Sequence, residues 1–494
     1  MKKLRELLPI DSDIAIESIH SDSRCIKPNS IFFCLDGLSV DGHQFIEEAI
    51  YRGAKCIVHT KEVNYSFQDV IFFQTTNIIA RLNEVACKFY DYPSQRLKMV
   101  GVTGTNGKTI VSTLIYQSLK QFMPFGYIGT RHVLFNDQFI SYMYTTPEVI
   151  FLQEHLNKMV NANIQGACLE VSSHGLSLGR VQGVDFDIAV FTNLSPDHLD
   201  FHGNMEDYIQ AKLKLFSMMK PGGVAIINRD DELMYHKISS VTKARVYSYG
   251  IKNPAYLRAF DVQLNIDHTS FKIMYEEKTY TLKTKLLGEF NIYHILASIL
   301  TLLQFNLSIE VCIQTIEKIG TIEGRLEAIK NKHHLNIFVD NGHTPVHYQE
   351  VFSFASKVSN QGRIIAVFGC VGKREFKKRF EIGQIADRYC DHIILTEEDC
   401  RDEDPEKICK EIQEGIKKAT CIVVTDRETA IYQAVETANP EDIILIIGKG
   451  DEKTMIRKDG VEPYIGDEQA VMNAINEIYC EAVSYTHLTL PTKA

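Results

Sequence analysis

The 494-residue chain has no Cys-x-x-Cys pair, no run of eighteen apolar residues and no surplus of basic side chains. Each absence removes a class of function. Twelve scattered cysteines build neither a zinc knuckle nor a disulfide framework, so reduced cytosolic thiols are the simpler account. Without a long apolar run there is no membrane-spanning helix to expect, and the opening MKKLRELLPIDSD is broken by charges too early to act as a signal peptide. A formal net charge of -10 argues against nucleic acid or an anionic membrane as the main partner, because either favours a basic face. The expectation is a cytoplasmic protein that meets any anionic substrate with local Arg and Lys, with a monomer as the default.

What is present is length and a repeated pattern. At about 150 residues per domain the chain divides into roughly three. From about residue 14 to 95, apolar runs at Ser30–Leu35 and Lys55–His59 alternate with the helical Phe45–Tyr51 and Gly-containing turns, and Asp91-Tyr92-Pro93-Ser94 reads as an exit linker. From about 98 to 328, the strand-like runs Ala167–Val171, Ile188–Phe191 and Gly223–Asn228 alternate with helices, which implies a parallel sheet covered by helices. Beyond Gly324-Arg325 the runs Asn336–Asp340, Ile364–Gly369, His392–Thr396, Cys421–Thr425 and Ile443–Gly448 repeat a doubly wound, Rossmann-like pattern. The expected architecture is therefore three α/β domains in series, at 1–97, 98–328 and 329–482. Residues 483–494 match none of the patterning; VSYTHL at 483–488 resembles a translated library adapter, and the tail is expected to be artefactual.

The densest chemistry is GVTGTNGKT at 101–109, a glycine-rich turn between an apolar run and a helical pattern. There the backbone N–H groups of Gly104, Thr105, Asn106 and Gly107 can cradle phosphates, Lys108 can neutralise them, and the Thr109 hydroxyl can hold Mg²⁺. In open parallel sheets ligands collect at the carboxyl ends of strands. Two further strand ends carry polar clusters: Glu170-Val171-Ser172-Ser173-His174, and Thr192 to Gly203 with Asp197 and His198. Glu170 and His198 are candidate ligands for a second divalent cation. In the helical stretch 208–216, Ile209, Leu213 and Phe216 share a face, with Lys212 on its flank and Lys214 pointing away. Lys212 is either a snorkelling side chain or an amine whose proton affinity burial lowers enough for reaction with CO₂.

Taken in order, GTNGKT, Thr145-Thr146-Pro147, EVSSH, FTNL-x-x-DHLD-x-HG and Y-x-x-AK-x-x-LF resemble the Mur ligase family. The resemblance spans nearly the whole chain and is closest to the MurE branch, which adds the third amino acid to a peptidoglycan precursor. It implies an ATP-dependent ligase with Mg²⁺, a carbamylated Lys212 supporting a second Mg²⁺ on Glu170 and His198, and nucleotide contacts at Asn291, Arg325 and Asp340. His294 departs from the pattern, standing where the family carries a second Asn near adenine.

For the UDP-N-acetylmuramoyl-dipeptide, the resemblance implies Ser23 and Arg24, with Asp41-Gly42-His43 as a landmark, and Thr145, Thr146, Ser172 and Arg180. For the incoming amino acid it implies Arg374, Asp399, Arg401, Gly448 and Glu452. Here the chain departs most: the family's Asn-Pro is Asp399-Cys400, and Asn341-Gly342 replaces Tyr-Ala. Arg401 favours a substrate with a distal carboxylate, because a guanidinium facing only an ammonium is repulsive; Asp399 favours an ammonium. Meso-diaminopimelate carries both and is the first expectation, with L-lysine the alternative and a non-catalytic paralogue the reading from another class. A folylpolyglutamate-type ligase leaves the SDSR and EVSSH segments unexplained. The expected mechanism is transfer of the γ-phosphoryl group to the D-glutamate carboxylate, followed by amine attack on the acyl phosphate.

Overall fold

The run Lys98–Thr103 is buried along almost its whole length and lies between two parallel neighbours, which is why KMVGVT shows no alternation of polar and apolar residues. In the computed structural model, which describes residues 1–485 apart from 38–39, 65–66 and 375, with side chains to 479, the chain forms two units. The first comprises Met1–Leu194, Glu206–Ser248 and Leu300–Asn306; the second comprises Ser195–Met205, Tyr249–Ile299 and the described chain from Leu307 onward.

Two sheets organise the first unit. Ser18–His20, Ser30–Phe33, Ala54–His59 and Ile71–Gln74 pair in parallel, in chain order. The helix Ile78–Phe89 holds this part to the segment 179–183: the buried Asn83 amide donates to the Gly179 carbonyl at 2.9 Å and accepts from the Gly183 N–H at 3.0 Å. The second sheet runs Phe125–Gly129, Gly166–Glu170, Lys98–Thr103, Phe186–Phe191, Met219–Asn228, all parallel. Its register sets Val102 beside Glu170 and Thr103 beside Phe191. The glycine-rich turn, Glu170 and Thr192 therefore leave the sheet at one edge.

The middle of the chain is not parallel throughout, contrary to the sequence pattern. His132–Phe135 and Gln138–Ser141 form a hairpin on the sheet margin. In the second unit Leu257–Leu264, Thr269–Tyr275 and Lys278–Thr284 form an antiparallel meander. These strands alternate buried and exposed positions, as expected when one face meets water.

The second unit's main sheet has the order Glu327–Ala328, Asn336–Asp340, Ile443–Ile447, Ile364–Phe368, His392–Leu395, Thr420–Val423, parallel except for its first strand. Both faces are covered: Ile337, Val339, Ile444 and Ile446 enter one apolar cluster, Phe338, Leu445 and Ile447 the other. Asp340, Ile447, Phe368 and Leu395 lie in register. The segments following them, which carry Asn341, Gly448, Gly369 and Thr396, are thus set along one edge of the sheet. The last helix, Asp467–Tyr485, runs through residues 483–485, so the segment set apart in the sequence begins inside it; residues 486–494 lie outside the described residues.

Candidate active site

The turn after Lys98–Thr103 closes because two glycines take conformations that side chains resist: Gly104 has φ 151° and Gly107 φ 83°. At Gly104 space also forbids a side chain, since a Cβ would lie 1.8 Å from the Thr192 hydroxyl. Gly107 starts the helix Lys108–Leu119 without a side-chain cap, leaving the first N–H groups facing the turn. The turn is pinned from the neighbouring strand end. Asn193 accepts from the Asn106 N–H at 2.9 Å, and the Thr192 hydroxyl donates to the Asn106 carbonyl at 2.6 Å.

Two ammonium groups converge on the turn. Lys108 Nζ donates to the carbonyls of Gly104 and Thr105 at 3.0 and 2.7 Å, and Lys212 Nζ donates to the Gly104 carbonyl at 2.8 Å. Lys212 lies in the helix Met205–Ser217, is 1% exposed and sits 4.3 Å from the Tyr208 ring centroid, whereas Lys214 is exposed. Beside them Glu170 is fully buried and its carboxylate accepts four hydrogen bonds: Tyr127 Oη at 2.5 Å and the Thr130 N–H at 3.1 Å on Oε1, the Thr109 and Thr130 hydroxyls at 3.0 Å each on Oε2. Burial, and then the Glu170 charge, push the Tyr127 phenol well above its ordinary value, so it remains a donor. Thr109 is thereby oriented: its hydrogen points to Glu170 and its lone pairs face away. A hydroxyl oxygen held in this way is a hard ligand of the kind that suits Mg²⁺.

Glu170 also leads into a second polar cluster. The buried Thr146 hydroxyl donates to the Glu170 carbonyl at 2.8 Å and lies 3.0 Å from the Ser172 hydroxyl; Arg180 donates to the Thr146 carbonyl at 2.8 Å and stacks on Tyr144 at 4.4 Å. Thr145, half-buried, precedes it. In the amino-terminal sheet region Ser23 donates to Glu48 at 2.8 Å, and the exposed Arg24 forms a fork with Asp22. Asp41 accepts from both His43 and Lys61.

In the second unit one chain of contacts joins three of the sequence-predicted nucleotide residues. Asn291 donates to the Leu287 carbonyl at 2.7 Å, which leaves its oxygen to accept from His294 Nδ1 at 3.0 Å. Burial, with His347 nearby, drops the His294 imidazole to about 3, so it stays neutral. Asp340 accepts from His347 Nε2 at 2.6 Å and from the backbone N–H groups of Gly342 and Leu326, and Leu326 follows Arg325. Burial lowers His347, but the Asp340 carboxylate more than reverses this and holds it above its ordinary value. His198 lies in this unit too, at φ 55°, with Nε2 3.3 Å from its neighbour Asp197.

The residues expected to meet the incoming amino acid lie along the edge of the main sheet. Lys449, 1% exposed, bridges Asp399 at 2.8 Å and Glu452 at 2.6 Å. Arg401, at φ 56°, is lowered by burial and by the like charge of Arg374, which places the two guanidiniums in one field. Gly448, at φ 120°, lies against Glu398.

Comparisons with known proteins match three stretches of the chain: a Mur ligase family catalytic domain over 15–94, a Mur ligase middle domain over 102–302, and a Mur ligase glutamate ligase domain over 324–450. The UDP-N-acetylmuramoyl-L-alanyl-D-glutamate–2,6-diaminopimelate ligase of Caldanaerobacter subterraneus subsp. tengcongensis is 36% identical over 96% of this chain and 98% of its own. The chain belongs to the Mur ligase family. Its counterpart of the same name in Fusobacterium nucleatum is 37% identical over 90% of this chain and 91% of its own. Among solved structures, one titled as that ligase matches with TM-score 0.69 at 27% identity, covering 97% of this chain and 99% of the other. MurF of Thermotoga maritima, solved with ADP, shares the fold at TM-score 0.66 and 17% identity, over 95% of this chain and 100% of its own.

Within this Mur ligase, sequence reasoning missed Tyr127, Thr130, His347, Lys449 and Glu398. The first four are partners of residues it did name, and their positions follow from strand register and chain folding rather than from local spacing. Glu398 had a local signal, the run Glu397-Glu398-Asp399 at a strand end, of which only Asp399 was singled out.

Proposed function

We propose that this Mur ligase joins meso-2,6-diaminopimelate to UDP-N-acetylmuramoyl-L-alanyl-D-glutamate using ATP, through an acyl phosphate, in peptidoglycan synthesis in the cytoplasm. The observation that carries this is the convergence of Lys108, Lys212, Thr109 and Glu170 on one glycine-rich turn, in a chain 36% identical over 96% of its length to a diaminopimelate ligase. The proposed division of labour follows domains at 1–97 for the UDP-sugar peptide, 98–328 for ATP and 329–482 for the amino acid.

In this scheme Lys108 leaves the Gly104 and Thr105 carbonyls to meet the transferring phosphoryl group, whose spreading charge it stabilises. The D-glutamate carboxylate attacks the γ-phosphorus and ADP departs, giving the acyl phosphate. The amine of the amino acid then attacks the acyl carbon, and phosphate leaves as the amide forms. Mg²⁺, when bound, supplies charge neutralisation at the phosphate oxygens. Thr109 is set to hold it by the bond its hydrogen makes to Glu170. Glu170 uses all its lone-pair directions on protein donors, so it serves as the orienter of Thr109 and would serve a second ion only by releasing one of them. Carbamylation of Lys212 would likewise replace its bond to the Gly104 carbonyl. Ser23 and Arg24, with Thr145, Thr146, Ser172 and Arg180, are assigned to the UDP-sugar peptide; Asn291, His294, Arg325 and Asp340 to the nucleotide.

Diaminopimelate is favoured over L-lysine because the feature that spoke for lysine, the extra charge of Asp399, is already paired with Lys449, while Arg374 and Arg401 supply cations for a distal carboxylate. The test is ADP release with UDP-N-acetylmuramoyl-L-alanyl-D-glutamate and meso-diaminopimelate, L-lysine, L-ornithine or no amino acid. Turnover with meso-diaminopimelate alone is expected; turnover with L-lysine alone reverses the specificity, and silence with all three removes the ligase reading.

A further inference from the structure

The helix Arg427–Thr437 packs against the last helix, with Ala430, Ala434 and Val435 in one apolar cluster with Val471, Ala474 and Ile475. Packing thus places its first residue, and Asp426 caps the turn by accepting from the Thr429 N–H at 2.8 Å. From there the Arg427 side chain, 1% exposed, reaches two strand ends of the main sheet. Its Nη1 donates to the Glu397 carbonyl at 3.4 Å and its Nη2 to the Ile447 carbonyl at 3.1 Å. Nε and Nη2 fork onto Asp467 at 2.7 and 2.8 Å, and the Tyr464 hydroxyl donates to the same carboxylate at 2.7 Å. Burial opposes the charge of Arg427, but Asp467 more than reverses this and holds the guanidinium above its ordinary value, so it remains a donor.

The two carbonyls belong to strand ends that are not neighbours, because Ile364–Phe368 lies between Ile443–Ile447 and His392–Leu395. Each outer strand pairs with the one in the middle, so strand pairing does not fix the distance between their ends directly. The segments that leave those ends carry Asp399 and Arg401 on one side, Gly448 and Glu452 on the other. Lys449 joins the segments through a side chain, at Asp399. Arg427 joins them through the main chain itself, and the Glu397 N–H is held as well, donating to the Thr425 carbonyl at 3.1 Å. We infer that Arg427 is a positioning residue: it touches no substrate, and it sets the spacing of the two segments that meet the incoming amino acid. This rests on the diamino acid ligase reading above. Asp467 and Tyr464 serve the same end by fixing the guanidinium, which gives the chain beyond residue 450, where the match to the glutamate ligase domain stops, a part in amino-acid recognition.

The experiment uses the full chain and follows ADP release to measure KM separately for meso-diaminopimelate, ATP and UDP-N-acetylmuramoyl-L-alanyl-D-glutamate, beside thermal unfolding of the same preparations. Arg427→Lys keeps the charge but has one nitrogen where arginine spreads three, so it cannot hold both carbonyls and both Asp467 oxygens. The expected result is a KM for meso-diaminopimelate about 10- to 100-fold higher, with the other two KM values within about 3-fold of the native protein. A merely structural role lowers the unfolding temperature and the amount of active enzyme but leaves all three KM values alone. That result overturns the assignment, as does a rise shared by all three. If Arg427→Lys does not fold, Arg427→Met combined with Asp467→Leu decides it, because replacing a buried ion pair by apolar residues is often neutral for stability while the tie between the strand ends is lost. In that double variant a rise in KM confined to meso-diaminopimelate supports the role, and a native KM refutes it. A native protein that releases no ADP with these substrates fails at the ligase reading itself, and this assignment falls with it.

Discussion

Replacing Glu170 by Gln separates the stability of the glycine-rich site from its chemistry. The four donors on Glu170 differ in freedom: the Thr130 N–H is fixed, whereas the Tyr127, Thr109 and Thr130 hydroxyls can turn. A Gln amide therefore places its oxygen at the Oε1 position, to keep the Thr130 N–H and Tyr127, and its NH₂ at the Oε2 position. The two threonine hydroxyls then become acceptors. Charge-assisted bonds weaken to neutral ones, but the desolvation of a buried carboxylate disappears at the same time, so the net loss of stability is about 1–2 kcal/mol. The effect on Thr109 is larger. Its lone pair now accepts from the amide, and its hydrogen turns to where a cation would sit. Removal of such an orienting partner weakens metal affinity about 10- to 100-fold. The assay is ADP release as a function of Mg²⁺ concentration at saturating ATP, beside thermal unfolding of the same preparation. A half-saturating Mg²⁺ concentration unchanged in a folded Glu170→Gln variant refutes the argument that Glu170 acts by orienting Thr109.

Other tests follow from the same contacts. Asp467→Asn leaves the Arg427 guanidinium, 1% exposed, without its forked partner, and is expected to destabilise the second unit by about 3–5 kcal/mol in urea unfolding; a change below about 1 kcal/mol refutes it. Because His347 is raised above its unfolded value of about 6.5 by Asp340, its contribution is complete below that pH and is lost as pH rises through the higher folded value. The native protein should therefore lose thermal stability above about pH 6.5 more steeply than His347→Gln, and equal slopes count against the pairing. His294, held neutral by burial down to about 3, should give the ATP KM no break near neutral pH that His294→Asn removes. Lys212→Ala should abolish turnover, and partial rescue by a short-chain carboxylate would mark a carbamate; full activity in the variant removes Lys212 from the mechanism.

The parts of this protein that a reader of the sequence can see are those where a single segment dictates its own geometry. TGTNGKT announces a phosphate-binding turn because Gly104 and Gly107 occupy backbone regions that side chains resist, and the buried side of Lys212 follows from helical spacing against Ile209, Leu213 and Phe216. The fully buried strands of the second unit read directly from runs such as IILII. The meander 257–284 does not, because KTYTLKT, one face wet, has too few apolar positions to separate it from a loop. Partnerships across long stretches of chain are the other hidden class. Lys449 reaches Asp399 fifty positions away, and that pairing changes what the substitution of Asp for Asn at 399 means: read alone it adds a negative charge for a substrate ammonium, but once Lys449 is placed it neutralises the protein's own lysine. That step needs burial and a complete account of hydrogen bonds, and it is where the structure revises the sequence most.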